Sequence, residues 1–123
     1  MRRPAEEWIS TYLPGLLTES APPEMVAEVR SLMSGVRPAA NETMLTAMAE
    51  ADLRDVLPRV DVPTLLLYGE QDVRSPVEVG RALNDAIPGS ILVVLPGVGH
   101  LSCVEGVDRF TREVRTFLDS HGA

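Results

Sequence analysis

Two side chains in this sequence have the types needed for joint acid–base chemistry: the carboxylate of Asp72 and the imidazole of His100. A carboxylate that accepts one ring N–H of a histidine fixes the ring and supports its positive charge when the other nitrogen takes a proton. Each residue stands just past a short apolar run. Asp72 closes Gly69-Glu70-Gln71-Asp72 after the run Thr64–Tyr68, and His100 closes Pro96-Gly97-Val98-Gly99-His100 after Ile91–Leu95. The same two groups would also suit a hydrogen bond that merely ties two loops together.

The elements around them predict how they meet. Both runs lack the polar/apolar alternation of a half-wet strand, so both are expected to be strands covered on two faces. Between them, Ser75-Pro76-Val77-Glu78 fits a capping box with Ser75 at N-cap, Pro76 at N1 and Glu78 at N3. Val79, Leu83, Ala86 and Ile87 fall on one helical face, and Pro88-Gly89 ends the helix. Strand, crossover helix and strand make a parallel βαβ unit. Parallel neighbours lie about 4.8 Å apart with their C-terminal ends side by side. That rim, where ligands bind in open parallel sheets, would receive both Asp72 and His100.

A strand ending in G-x-x-D, a capped helix, and a strand ending in P-G-x-G-H resemble the last third of an α/β-hydrolase. The resemblance runs from about Leu57 to Leu118 and includes Glu105, five residues after the histidine, and the amphipathic C-terminal helix. It implies a partial α/β-hydrolase fold, in which Asp72 is the acid and His100 the general base of a Ser-His-Asp triad, in the chain order Ser, acid, His. It implies hydrolysis of an ester, a lactone or a related carbonyl compound. Two departures stand out. Gly106-Val107 replaces the proline usual after the glutamate, and no G-x-S-x-G occurs in the sequence.

Ser75, Ser102 and Cys103 are the candidate substitutes for the missing nucleophile. Ser75 is better used as a helix cap. Ser102 and Cys103 follow His100 closely, but their loop does not resemble the strained strand-to-helix turn on which family nucleophiles sit. The sequence presents no metal-ligand cluster and no phosphate-cradling glycine loop, so no cofactor is expected. Three readings stay open: a nucleophile supplied by another polypeptide that completes the sheet, a non-catalytic remnant acting as a dimerisation or binding module, and a Met1 internal to a longer reading frame.

The rest of the 123 residues read as follows. Three or four short helices are expected ahead of the βαβ unit. One covers residues 4–17 and is broken at Pro14-Gly15; Trp8 is expected to anchor it to the sheet. A second opens at Pro22-Pro23 and carries Met25, Val26, Val29, Leu32 and Met33 up to Gly35. A third is capped by Asn41 and carries Met44, Leu45 and Met48; a short fourth runs from Asp52 to Leu57. Residues 1–57 thus resemble the helical lid of the same family, and residues 58–123 its C-terminal βαβα core. The last helix shows a core-facing stripe of Phe110, Val114, Phe117 and Leu118. His121 falls in a tail with no expected role. The apolar content of 45% supports a core, and the net charge of −7 argues against a nucleic-acid or anionic-membrane surface. A single cysteine excludes an internal disulfide and suits a reducing compartment. No apolar run approaches a membrane span, so the expectation is a soluble cytoplasmic protein whose partner is a small-molecule substrate once the fold is completed.

Two strands make a poor independent sheet, and an open strand edge pairs readily with another chain. The expected outcome in size-exclusion chromatography with light scattering is self-association, partner binding through that edge, or poor solubility. A monodisperse monomer that unfolds in one cooperative step contradicts this expectation.

Overall fold

The computed structural model describes residues 5–122. The chain forms two compact units. One combines the segment ending at Pro14 with Glu19–Asp52, and the other combines Gly15–Thr18 with the residues from Leu53 onward.

The first unit is helical: α1 (Ala5–Tyr12), α2 (Pro23–Ser34) and α3 (Pro38–Glu50). Helix α1 stops well short of residue 17. Its last helical bond is donated by the Leu13 amide to the Ile9 carbonyl at 2.8 Å, and Pro14 disfavours helical geometry at the residue before it. The expected start at Pro4 lies outside the described residues. Trp8 and Ile9 on α1 and Val29 and Met33 on α2 are buried, and Arg30 pairs with Glu6 at 3.1 Å. Helix α3 begins three residues before Asn41 because a proline fits the first turn, where its absent N–H costs nothing. Asn41 is therefore inside the helix and does not cap it. Met44 and Met48 on this helix are 52% and 65% exposed.

In the second unit the expected fourth helix is missing. The Val56 and Leu57 amides both donate to the Leu53 carbonyl, at 2.9 and 3.3 Å, as a single turn. Pro58 lies instead within a 3-10 turn, Leu57–Arg59. Then follow β1 (Leu65–Gly69), α4 (Val77–Ala86), β2 (Ile91–Leu95), α5 (Ser102–Glu105) and α6 (Val107–Ser120). The strands pair in parallel, from Leu65 opposite Ile91 to Gly69 opposite Leu95. The second strand matches its expected bounds, and the first is shifted by one residue. Helix α6 half-buries Phe110, Val114 and Phe117, while Leu118 at the end of that stripe is 41% exposed. His121 is not a loose tail residue: its ring lies 4.4 Å from that of Phe117, and its Nδ1 is 2.8 Å from the Phe117 carbonyl.

Helix α4 corrects two expectations. It starts at Val77, its N-cap position is Pro76, and no side chain caps it. The Ser75 amide is already donated to Asp72 Oδ1 at 2.9 Å, so the turn ahead of the helix is closed from Asp72 and not from Ser75. The buried face also differs. Val79 is 45% exposed and Gly80 is buried. A Cβ at Gly80 would meet Tyr68 Cδ2 at 2.7 Å, so the helix lies flat against the tyrosine ring only because residue 80 has no side chain. Gly80→Val is expected to destabilise the protein by about 1–3 kcal/mol through overpacking. Val79→Ala, on the outer face, should stay within about 0.5 kcal/mol. Denaturant unfolding of the two variants checks the difference.

Candidate active site

The rim beyond β1 and β2 is assembled from backbone first. The Glu70 amide continues the ladder to the Leu95 carbonyl at 2.9 Å, and the Gln71 amide reaches the Val98 carbonyl at 3.0 Å. Glu70 Oε2 accepts the Gly97 amide at 3.0 Å, and Gly97, at φ +71°, turns the chain where a side chain would be strained. A Cβ at Gly69 would overlap the Gly99 carbonyl. The two loops therefore lie against each other before any site residue is placed.

Within this frame Asp72 and His100, 28 residues apart, meet: His100 Nδ1 lies 2.9 Å from Asp72 Oδ2. The other carboxylate oxygen, Oδ1, accepts the amides of Arg74 at 2.8 Å and Ser75 at 2.9 Å. The Asp72 side chain is 5% exposed and the His100 side chain 39%. Burial pushes the Asp72 pKa up. The Ser75 amide, the His100 ring and the Arg74 amide together outweigh burial and hold the carboxyl below its ordinary value. An ionised carboxylate only accepts, so the proton in the short bond is on His100 Nδ1; in the neutral ring Nε2 then carries the free lone pair.

A family model described as TAP-like protein matches residues 37–122 of this chain. The chain belongs to the α/β-hydrolases. It is 40% identical over 76 residues to a pimeloyl-acyl-carrier-protein methyl ester esterase of Pectobacterium atrosepticum, a match covering 62% of this chain and 30% of that protein. The corresponding esterase of Aliivibrio fischeri is 30% identical over 79 residues, covering 64% and 31%. Among solved structures, a thermophilic esterase from Thermogutta terrifontis superposes with a TM-score of 0.84 at 32% identity, over 97% of this chain and 48% of that one. The enol-lactonase of Burkholderia xenovorans gives 0.87 at 29% identity, over 94% and 45%. The chain thus spans about half the length of these solved relatives and less than a third of the curated ones.

The remaining candidates of this α/β-hydrolase chain do not join the pair. Among the described residues, His100 Nε2 has no hydrogen-bond partner. Ser102 is buried at the start of α5, and Cys103 is exposed. No group of three metal-ligating side chains occurs among the described residues, and no described helix is long and apolar enough to cross a membrane. A depression lined by Pro58, Val60, Pro63, Pro88, Gly89 and His121 lies at the opposite end of the strands.

One residue of the site was recognised in the sequence without a role. Glu105 accepts the Gly99 amide on Oε2 at 2.7 Å, and on Oε1 the amide and hydroxyl of Thr18 at 2.9 and 2.6 Å. The only sequence sign of it was its spacing from His100. Thr18 gave no sign, because its partner lies 87 residues away.

The depressed Asp72 pKa sets a pH dependence. A carboxyl whose folded pKa lies below its unfolded value, about 3.9 for aspartate, contributes stability above that value and loses it as the pH falls through the folded pKa. Asp72→Asn should therefore be less stable than the parent at neutral pH, with the gap narrowing below about pH 4. Thermal unfolding of both proteins between neutral and acid pH measures it. A gap independent of pH would contradict the assignment.

Proposed function

We propose that this chain supplies the acid and the base of an ester- or lactone-hydrolysing triad, with the nucleophile and the oxyanion donors contributed by the polypeptide that completes the sheet. The observation that carries this reading is the 2.9 Å pair: a buried, ionised carboxylate holds Nδ1–H, and a part-exposed ring leaves Nε2 unpaired among the described residues. In this role Nε2 takes the proton of an attacking hydroxyl as its oxygen bonds to the substrate carbonyl carbon. The imidazolium, stabilised by Asp72, then returns that proton to the departing alkoxide. Water enters by the same exchange, giving its proton to Nε2 as it attacks the acyl-enzyme, and the nucleophile regains a proton as the acid leaves. The names of the relatives, esterases and an enol-lactonase, support an oxygen-linked acyl substrate. In this reading the helical segment of residues 1–57 is the counterpart of the family's lid.

The absence of G-x-S-x-G from these residues favours a second reading, a non-catalytic module that pairs through its sheet. A chimera separates the two. The part of the Thermogutta terrifontis esterase that this chain does not cover is joined ahead of it, and hydrolysis of p-nitrophenyl butyrate is followed with and without that part. The chain alone should show no burst and no acyl-enzyme at Ser75, Ser102 or Cys103. The chimera should turn over, and His100→Ala or Asp72→Asn should lower its kcat by about 10⁴-fold. A folded but inactive chimera supports the second reading. Turnover that survives His100→Ala, or an acyl-enzyme on the chain alone, overturns the proposed roles.

A further inference from the structure

His100 is flanked by two peptide N–H groups, and both are held by groups outside its loop. The Leu101 amide donates to the Leu16 carbonyl at 2.9 Å. The Gly99 amide donates to Glu105 Oε2 at 2.7 Å. Glu105 does not end there: its other oxygen accepts both the amide and the hydroxyl of Thr18. Leu16 and Thr18 belong to one short segment, so the backbone on both sides of the histidine is fastened to residues 16–18, once directly and once through a carboxylate. Glycine at 99 is part of the device, since a Cβ there would stand 2.9 Å from Glu105 Oε2 and 3.3 Å from the Thr18 amide nitrogen. Bonds from neutral donors to a carboxylate are about twice as strong as neutral ones. Three of them on one side chain make a fixed point in a stretch that has no ladder to hold it.

We propose that Glu105 is a positioning residue for His100, setting the backbone from which the ring reaches Asp72. It acts through Gly99 and touches neither the ring nor a substrate. The proposal rests on the Asp72–His100 pairing put forward above as the acid and base. It has a sharp chemical consequence. Each oxygen of Glu105 accepts a peptide N–H, that of Thr18 on Oε1 and that of Gly99 on Oε2, so an amide in its place must turn its NH₂ toward a donor whichever way it lies. Glu105→Gln keeps the shape and breaks the clamp.

The test is nuclear magnetic resonance of the imidazole nitrogens and their protons on the full chain. With only two histidines in the sequence, His121→Gln assigns the signals. The parent should show His100 as the Nδ1–H tautomer, with a downfield proton that Asp72→Ala abolishes. In Glu105→Gln that proton should exchange with water at least about tenfold faster, the scale set by losing one charge-assisted hydrogen bond. The ring should populate both tautomers, while the amide signals of β1 and β2 stay in place. Thr18→Val removes one of the three bonds and should give an intermediate exchange rate; it decides the matter if Glu105→Gln does not fold. An unchanged His100 signal in a folded Glu105→Gln, or in Thr18→Val where only that variant folds, overturns the proposal and leaves Asp72–His100 standing. A parent spectrum without the Asp72-dependent proton overturns the pairing and the positioning role together.

Discussion

No side chain fits at Gly69. The last residue of β1 lies beneath the carbonyls of Val98 and Gly99, and even a methyl group there would force the two loops apart. Everything at the rim follows from this contact. It lets the Gln71 amide reach the Val98 carbonyl, which sets the level at which the second loop crosses the first. It brings the residue three places after Gly69 opposite the residue one place after Gly99. Parallel pairing would deliver the two loops to the same edge in any case. Backbone-to-backbone contact turns that neighbourhood into a hydrogen-bonding distance.

Asp72 meets two demands with one carboxylate. Burying a carboxylate favours its neutral form and costs stability unless hydrogen bonds replace the lost water. Here the amides of Arg74 and Ser75 occupy one oxygen and the His100 ring the other. The amides do local work as well, closing the turn that leads into α4 in place of the serine cap. The orientation of the histidine is thus tied to the start of the crossover helix, and a change at either is felt at the other. Glu105 repeats the pattern on the far side of the loop, again with two oxygens divided between two segments.

How much of this was legible in the sequence depends on the range of the interaction that decides it. The strand Ile91–Leu95 and the meeting of Asp72 with His100 could be read, because apolar runs and punctuation are local signals and parallel topology carries them to one rim. The end of β1 was missed by one residue, since Gly69 reads as a breaker and only its pairing with Leu95 keeps it in the ladder. The buried face of α4 was assigned to Val79 by periodicity. The real face includes Gly80, because the Tyr68 ring needs the space, and a pattern of apolar residues cannot show a missing side chain as a contact. Asp52–Leu57 carried a cap and apolar residues, yet it folds as a single turn closed on the Leu53 carbonyl. Thr18 was invisible, because the carboxylate that binds it lies 87 residues along the chain.

The strands themselves carry an unfinished requirement. Leu65-Leu66-Leu67-Tyr68 and Ile91-Leu92-Val93-Val94 are apolar throughout, yet these residues are only half-buried or, at Ile91, exposed. At the two ends of the pair the Ile91 amide donates to the Thr64 carbonyl and the Glu70 amide to the Leu95 carbonyl. Successive residues of a strand address opposite edges, so Leu65 and Leu67 direct their amides and carbonyls away from β2, and Leu92 and Val94 direct theirs away from β1. Among the described residues no further strand pairs with either edge. A parallel strand added beside β1 would bury its leucines and satisfy its edge in one step. It would also end at the rim, about 4.8 Å from β1 and about 10 Å from β2 by the spacing of neighbouring strands.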